Sequence, residues 1–428
     1  MKNKTPVVLF LLPLVLGSCS KTATPSSSSP ASSSSTEAAS ISLYSYSVLY
    51  PEKDSSLRRL ALNLSSSLEE KTGISLPVIS DGGAKSGKEI RLGKTNRTIT
   101  SSKAGKYTLA PAEEDIELVS DTVSGLAASV KELVSLSGED GKLVLPEEKD
   151  GEYQDLSLRV MSYNIRMSGE DRWGRLSNVI ERNAPDILGT QEVSTVWHKH
   201  FQEDLEGYTA FGRDRGDSTK EANFILYKTS EFDIDLAASG TCWYSSTPDT
   251  PSKLKESTYN RIFTYAYLTR KSDQKDFLYI NTHLDLSQHA RMESVKMLAG
   301  FVSQCPNVPV YITGDFNTGY NWTYDGSTWG ELPVADEDAD DKLEEDGFLN
   351  ARKESSLTTD AFTYPTTLYP DDATEEKPAS IDYCFGKGNV LFDAFQVDNA
   401  LPDNPNDIPG CGKDASDHYP IIADTILY

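Results

Sequence analysis

Asn164, Glu192, His283, Asp315 with Asn317, Asp382, and Asp417 with His418 share one feature: each lies at the edge of an apolar, strand-like run. The runs fall at 158–161, 187–189, 224–227, 263–268, 277–280, 308–312, 381–385 and 421–423. Carboxylates and carboxamides offer the hard oxygen ligands that magnesium and manganese take. Histidine adds a group that gains and loses a proton near neutral pH. One such run would mean little, but a series in chain order is what a site shared along one edge of a sheet requires.

The chain has 428 residues, more than a single hydrophobic core usually serves, so more than one domain is expected. Its formal net charge is -24, with 38% hydrophobic and 25% charged residues. Forty-one basic against 65 acidic side chains leave no sequence-wide basic footprint, which disfavours nucleic acid as a partner without excluding it. At the start, Lys2 and Lys4 precede an apolar run over 7–16 that is too short for a permanent span and suits a signal peptide. The quartet Leu16, Gly17, Ser18, Cys19 resembles a bacterial lipobox, so residues 1–18 are expected to be cleaved and Cys19 lipidated. The implied location is the cell surface or the outer membrane, with membrane contact through the anchor. Residues 19–40 are rich in serine and lack large apolar side chains, as a tether would. Cys242, Cys305, Cys384 and Cys411 show no C-x-x-C spacing, hence no zinc or redox signature, and an exported compartment would permit a disulfide.

Residues 41–152 read as a small α/β sandwich. Strands are expected at 41–43, 48–50, 74–79, 89–92, 107–109, 116–119 and 143–145. Between them lies a helix capped by Asp54 and ended by Gly73, with Leu57, Leu60, Ala61, Leu64 and Leu68 on one face. A second helix carries Val123, Leu126, Ala127, Val130 and Leu133. The segments "ALNLSSSLEEKTGISLPV", "EIRLGKTNR" and "DTVSGLAASVKELVSL" resemble the small accessory domain of bacterial carbohydrate-active enzymes. That likeness rests on packing patterns. It implies a spacer or a domain that touches carbohydrate.

In residues 156–428, "RVMSYNIRM", "PDILGTQEV", "KEANFILYK", "YINTHLD", "YITGDFNTG", "SIDYCF" and "SDHYPI" resemble, in order, the motifs of the endonuclease/exonuclease/phosphatase superfamily. "WYSSTPDTPSK", "NRIF" and "THLDLSQHARMESVK" are similar to its exported bacterial branch. The resemblance implies an α+β fold, a four-layer α/β/β/α sandwich, and metal-assisted hydrolysis of a phosphoester substrate. Water attacks phosphorus while negative charge spreads over the non-bridging oxygens, so a hard cation and fixed donors are needed.

Carried over residue by residue, the resemblance gives Glu192, Asn164 and Asp417 as ligands of Mg2+ or Mn2+. It pairs His418 with Asp382 and His283 with Glu221, one histidine accepting a proton from water and the other donating one. The sequence leaves open which does which. Asp315 and Asn317 would orient the nucleophile and donate to phosphoryl oxygens. Arg166, Arg213, Arg261 and Arg291 are candidate phosphate contacts, because a guanidinium fork matches phosphate oxygens. Ser380 departs from the pattern, since a basic residue often stands before "IDY". The expected function is a surface-anchored, divalent-metal-dependent phosphodiesterase or phosphatase acting on small or glycan-linked phosphoesters. The alternatives are an extracellular nuclease, a sphingomyelinase-like phospholipase C, and a catalytically dead surface binding module.

Overall fold

Along the strand Ser157–Asn164, Leu158 and Val160 join one apolar cluster while Met161 and Tyr163 join another. Alternate side chains of a strand face opposite ways, so a strand with both faces apolar must be covered on both. The same division recurs in Lys275–His283, where Phe277 and Tyr279 share the cluster of Leu158 and Val160, and Leu278 and Ile280 belong to a third. The shared cluster also takes Tyr311 of Val310–Asp315 and Cys384 of Asp382–Lys387. It is the layer between two face-to-face sheets. The other two clusters lie on the outer faces, under the helices Trp173–Asn183 and Thr195–Glu203 on one side and Gln288–Gln304 and Ala339–Glu345 on the other. This is the four-layer α/β/β/α arrangement.

The computed structural model describes residues 40–145, 147–167, 172–318, 322–324, 329–331, 338–359, 361–364, 380–399 and 415–428. The expected leader, Cys19, residues 20–39 and Cys411 lie outside these. One seven-stranded sheet runs Tyr208–Asp214, Ala222–Lys228, Ile187–Val193, Ser157–Asn164, Ile421–Leu427, Val390–Val397, Leu357–Thr358. The other follows the path Phe232–Ile234, Ile262–Arg270, Lys275–His283, Val310–Asp315, Asp382–Lys387, Leu349–Asn350, with Gly240–Trp243 also paired to Ile262–Arg270. Each sheet has a parallel pair near its centre: Ser157–Asn164 with Ile187–Val193, and Lys275–His283 with Val310–Asp315. The strand Val390–Val397 has no counterpart among the expected runs. Cys242, Cys305 and Cys384 are free thiols.

Residues 46–152 build a third, six-stranded sheet covered by the helices Ser55–Thr72 and Val123–Leu136. Asp54 caps the first helix by accepting from the Leu57 N–H, and Gly73 ends it at φ 73°. The strand expected over 74–79 shrinks to Val78–Ser80, because Pro77 has no N–H to pair and Ile74 and Leu76 turn into the core instead. The opposite face of this sheet is charged. Arg91 is buried among Glu89, Asp115 and Glu117, and Arg97 also reaches Glu89, at 3.1 Å. The apolar cluster under the two helices does not stop at residue 152. It continues through Leu156 to Leu391, Ile426 and Tyr428, and Ser56 Oγ donates to the Phe392 carbonyl at 2.6 Å.

Candidate active site

The interior faces of the two central sheets change character from one end to the other. Leu158, Val160, Phe277, Tyr279, Tyr311 and Cys384 fill one end with apolar groups. Ser162, Asn281 and Thr313 follow two residues further along, and Gln191, in register with Asn164, joins them in a buried polar seam. Gln191 Nε2 donates to Ser162 Oγ at 3.1 Å and to Asn281 Oδ1 at 2.7 Å, while Asn281 Nδ2 donates to the carbonyls of Thr190 and Phe224. Two residues further still come Asn164, His283, Asp315 and, on its antiparallel strand, Asp382. The period of two therefore places all four on one interior face at one edge.

Across three neighbouring strands His283, Asp315 and Asp382 are register partners. His283 Nδ1 is 2.9 Å from Glu221 Oε1, and His418 Nδ1 is 2.9 Å from Asp382 Oδ2. The Nε2 atoms of both rings face one oxygen, Asp315 Oδ2, at 3.5 Å and 3.7 Å. Asn164 Nδ2 donates to that same oxygen at 2.9 Å and to Glu192 Oε1 at 3.1 Å. Asp315 Oδ1 accepts from the Asn317 N–H, and Asn317 Nδ2 donates to the Leu284 carbonyl, so Asn317 stiffens the turn after the strand. Glu192, Asp417, Glu221, His283, Asp315, Asn317 and His418 line one cavity of about 650 Å³. Asp382 stands behind His418. Arg166, Glu192 and Asn317 hold φ values of 55°, 59° and 49°. For residues with a Cβ that region is costly, and strain of this kind gathers at functional sites. At Glu192 it coincides with a register shift between Thr190 and Val193.

The two histidine pairs sit in different fields. Burial disfavours a charged His418, but Asp382, Asp315 and Asp417 outweigh it and raise the ring to about 10. Burial also pushes Asp382 upward, and the pair therefore retains a proton through neutral pH. Burial would likewise raise Glu221, yet the His283 hydrogen bond, His283, Arg261 and Arg215 pull it down to about 2. One pair is thus flanked by carboxylates and the other by guanidinium groups.

Three of the four expected phosphate contacts, Arg166, Arg213 and Arg291, are not among the residues that line the cavity. Arg291 is fully buried, paired to Asp338 at 2.6 Å and donating to the Leu286 carbonyl at 2.7 Å, so it ties a helix to a loop. Arg213 points outward from an edge strand, its Cζ 4.9 Å from the Trp243 ring. Arg166 approaches Asp417 Oδ2 at 3.7 Å. Arg261 lines the cavity but is engaged by Glu221 and Asp285. Arg215, Thr219, Tyr259 and Tyr364 were not anticipated, because all four leave loops whose course the sequence does not state. Tyr364 places its ring 4.9 Å from that of His418. The repeat "RDR" offered one signal for Arg215: the strand ends at Asp214, so the next residue escapes the outward alternation that carries Arg213.

Two stacked sheets with polar strand ends gathered at one edge, and two imidazoles meeting at one carboxylate, form an enzyme-like site. Residues 161–418 match the model of the Endonuclease/Exonuclease/phosphatase family, and the chain belongs to that family. No curated protein matches it. Among solved structures, a family protein from Bacteroides thetaiotaomicron is 24% identical, with 64% of this chain and 100% of that one covered at a TM-score of 0.52. A mannosyl-6-phosphatase from the same species is 24% identical over 63% and 99% of the two chains at 0.50. A family protein from Bacteroides vulgatus is 23% identical over 64% and 99% at 0.50. These likenesses establish the fold.

Proposed function

We propose that this protein is a divalent-cation-dependent phosphodiesterase or phosphatase acting on small or glycan-linked phosphoesters. The observation that supports it most directly is the Asp315 carboxylate, faced by His283 and His418, each backed by its own carboxylate. In this reading Asp315 and His283 take the proton of the attacking water. His418, protonated at neutral pH, donates to a phosphoryl or leaving oxygen.

Members of the family typically use divalent metals, and two donor sets compete for one here. Asp315, Asp382 and His418 bring ligand atoms within 4.8 Å of one another. Both ring nitrogens of His418, however, already face carboxylates, Asp382 at 2.9 Å and Asp315 at 3.7 Å, which makes it a poor ligand. Glu192, Asn164 and Asp417 present only oxygen donors, and Glu192 and Asp417 line the same cavity. That set suits a hard ion such as Mg2+ or Mn2+, which would neutralise charge on the phosphate.

Screening with Mg2+ and with EDTA against bis-p-nitrophenyl phosphate, p-nitrophenyl phosphate, plasmid DNA and sphingomyelin tests the reading. Hydrolysis of the synthetic esters alone supports it. Cleavage of only DNA or only sphingomyelin would replace it with the nuclease or phospholipase reading, and inactivity on all four would favour a binding module. Surface anchoring through Cys19 belongs to the same proposal. Cys19→Ala should move the protein from the membrane pellet to the soluble fraction, and an unchanged pellet would remove the anchor from the account.

A further inference from the structure

Arg215 is only 3% exposed, yet it belongs to the cavity wall. Its Nη1 lies 2.8 Å from Glu221 Oε2 and its Nε 2.7 Å from Asp217 Oδ2. Nη2 donates to Thr219 Oγ1 at 2.9 Å, and Cζ stands 4.5 Å from the Tyr259 ring. Arg261 approaches the same ring at 5.1 Å. The backbone of Arg215 is fixed as well: its N–H donates to the Glu221 carbonyl at 2.8 Å, and its own carbonyl accepts from Trp243 Nε1 at 2.7 Å.

A guanidinium already met by two carboxylates is a poor partner for a substrate phosphate, which would have to displace both. Its effect is on Glu221. The last torsion of a glutamate is broad and two-fold, so a carboxylate held at one oxygen can still turn. Here Oε2 is drawn to Arg215 by an ion pair at 2.8 Å that lacks hydrogen-bond alignment, while Oε1 faces His283 Nδ1 at 2.9 Å and Arg261 Nη1 at 3.4 Å. A carboxylate fixed at both ends fixes the ring it pairs with, and so aims His283 Nε2 at Asp315.

We propose that Arg215, supported by Tyr259 and Arg261, is a positioning residue for proton transfer at His283, acting through Glu221 without touching substrate. The inference rests on the hydrolase reading above. Its test uses the full-length protein, Mg2+ and bis-p-nitrophenyl phosphate. Arg215→Met should lower kcat roughly 10- to 100-fold, within the range a misplaced acid–base group costs, and leave KM within about threefold. Added guanidinium ion should restore part of kcat. Arg215→Lys should fall between wild type and Arg215→Met, since it keeps the charge but loses the planar contact with the Tyr259 ring. Combined with Glu221→Gln, Arg215→Met should add little to the loss that Glu221→Gln causes alone. A raised KM at unchanged kcat would make Arg215 a substrate contact, and additive losses would make it independent of Glu221. Either result overturns the proposal. If wild type hydrolyses no phosphoester, the functional reading falls separately, and the downfield proton NMR signal of the His283 Nδ1–H then decides. Loss of that signal in folded Arg215→Met upholds the positioning role, and an unchanged signal refutes it. Thermal unfolding identifies any variant that fails to fold, in which case Arg215→Lys carries the same readouts.

Discussion

At the scale of single residues, the site assigns different tasks to side chains of the same type. Asp382 is buried against the His418 ring, whereas Asp417 lines the cavity beside Arg166. Asp382→Asn should therefore lower turnover with the cation requirement unchanged, while Asp417→Asn and Glu192→Ala should raise the Mg2+ concentration needed for half activity. Cation titrations of the three variants check this, and a common midpoint would show that the ligand set is misassigned. The pH dependence of stability follows from the same contacts. His418 has a folded value near 10 against 6.5 for an ordinary imidazole. Its stabilising effect is complete below about 6.5 and is lost as pH rises toward 10. Glu221, lowered to about 2 from 4.5, contributes above 4.5 and loses that contribution as pH falls toward 2. Denaturant unfolding in EDTA should show His418→Gln closing the gap to wild type at alkaline pH and Glu221→Gln closing it at acid pH. Parallel curves across the range would contradict both assignments.

At the scale of elements, the separation of the two sheets sets the distance between Glu192 and His283. Asn281 controls it from the second sheet by donating to two carbonyls of the first. Gly189 makes the close approach available. A Cβ there would come within 2.3 Å of Thr313 Oγ1 and 2.5 Å of Asn281 Oδ1, both in packed, buried surroundings. Gly189→Ala should cost about 1–3 kcal/mol, the usual penalty for overpacking, and lower kcat by spreading the two strand ends. Chemical denaturation together with kinetics tests this. A stable, fully active Gly189→Ala protein would show that the seam yields without moving the site. Much of this element-level order was legible beforehand: the eight expected runs in 156–428 all pair as strands or lie partly within one. Val390–Val397 was missed although its eight residues are mostly buried. Its run VLFDAFQV is as apolar as the eight expected ones and pairs with Ile421–Leu427, but no candidate site residue stands at its end.

At the scale of the whole molecule, the first region is joined to the rest by more than a linker. Leu391, Ile426 and Tyr428 lie in the core under the helices Ser55–Thr72 and Val123–Leu136. Asp54, the cap of the first helix, also accepts from Ser356 Oγ at 2.8 Å, and Arg59 meets Glu354 at 3.2 Å. Every residue proposed for chemistry still lies after residue 156, and the family match covers residues 161–418. Deletion of 41–152 would expose the apolar side chains just named. The truncated protein is expected to have a clearly lower melting temperature and, where it remains folded, to keep most of its turnover on a small phosphodiester. Calorimetry and assay of the same preparation test both statements. A truncation that is folded but inert would make the first region part of the active site.

The sequence by itself determined which residue types meet and on which strands, because a period of two and a strand end are local properties. The family and the two histidine–carboxylate pairings were legible only through the likeness of its motifs to those of a known superfamily. The sequence could not decide which arginines face the cavity. Arg213 and Arg215 stand two residues apart, and only the end of pairing at Asp214 sends one outward and the other in. Nor could it show that Asp315 stands between both histidines, since His283 and His418 approach it from separate strands and loops. The merging of the first region with the catalytic core was equally invisible, for an apolar side chain near a chain terminus does not announce what will cover it. Those three features depend on packing between distant segments, and only the tertiary structure decided them.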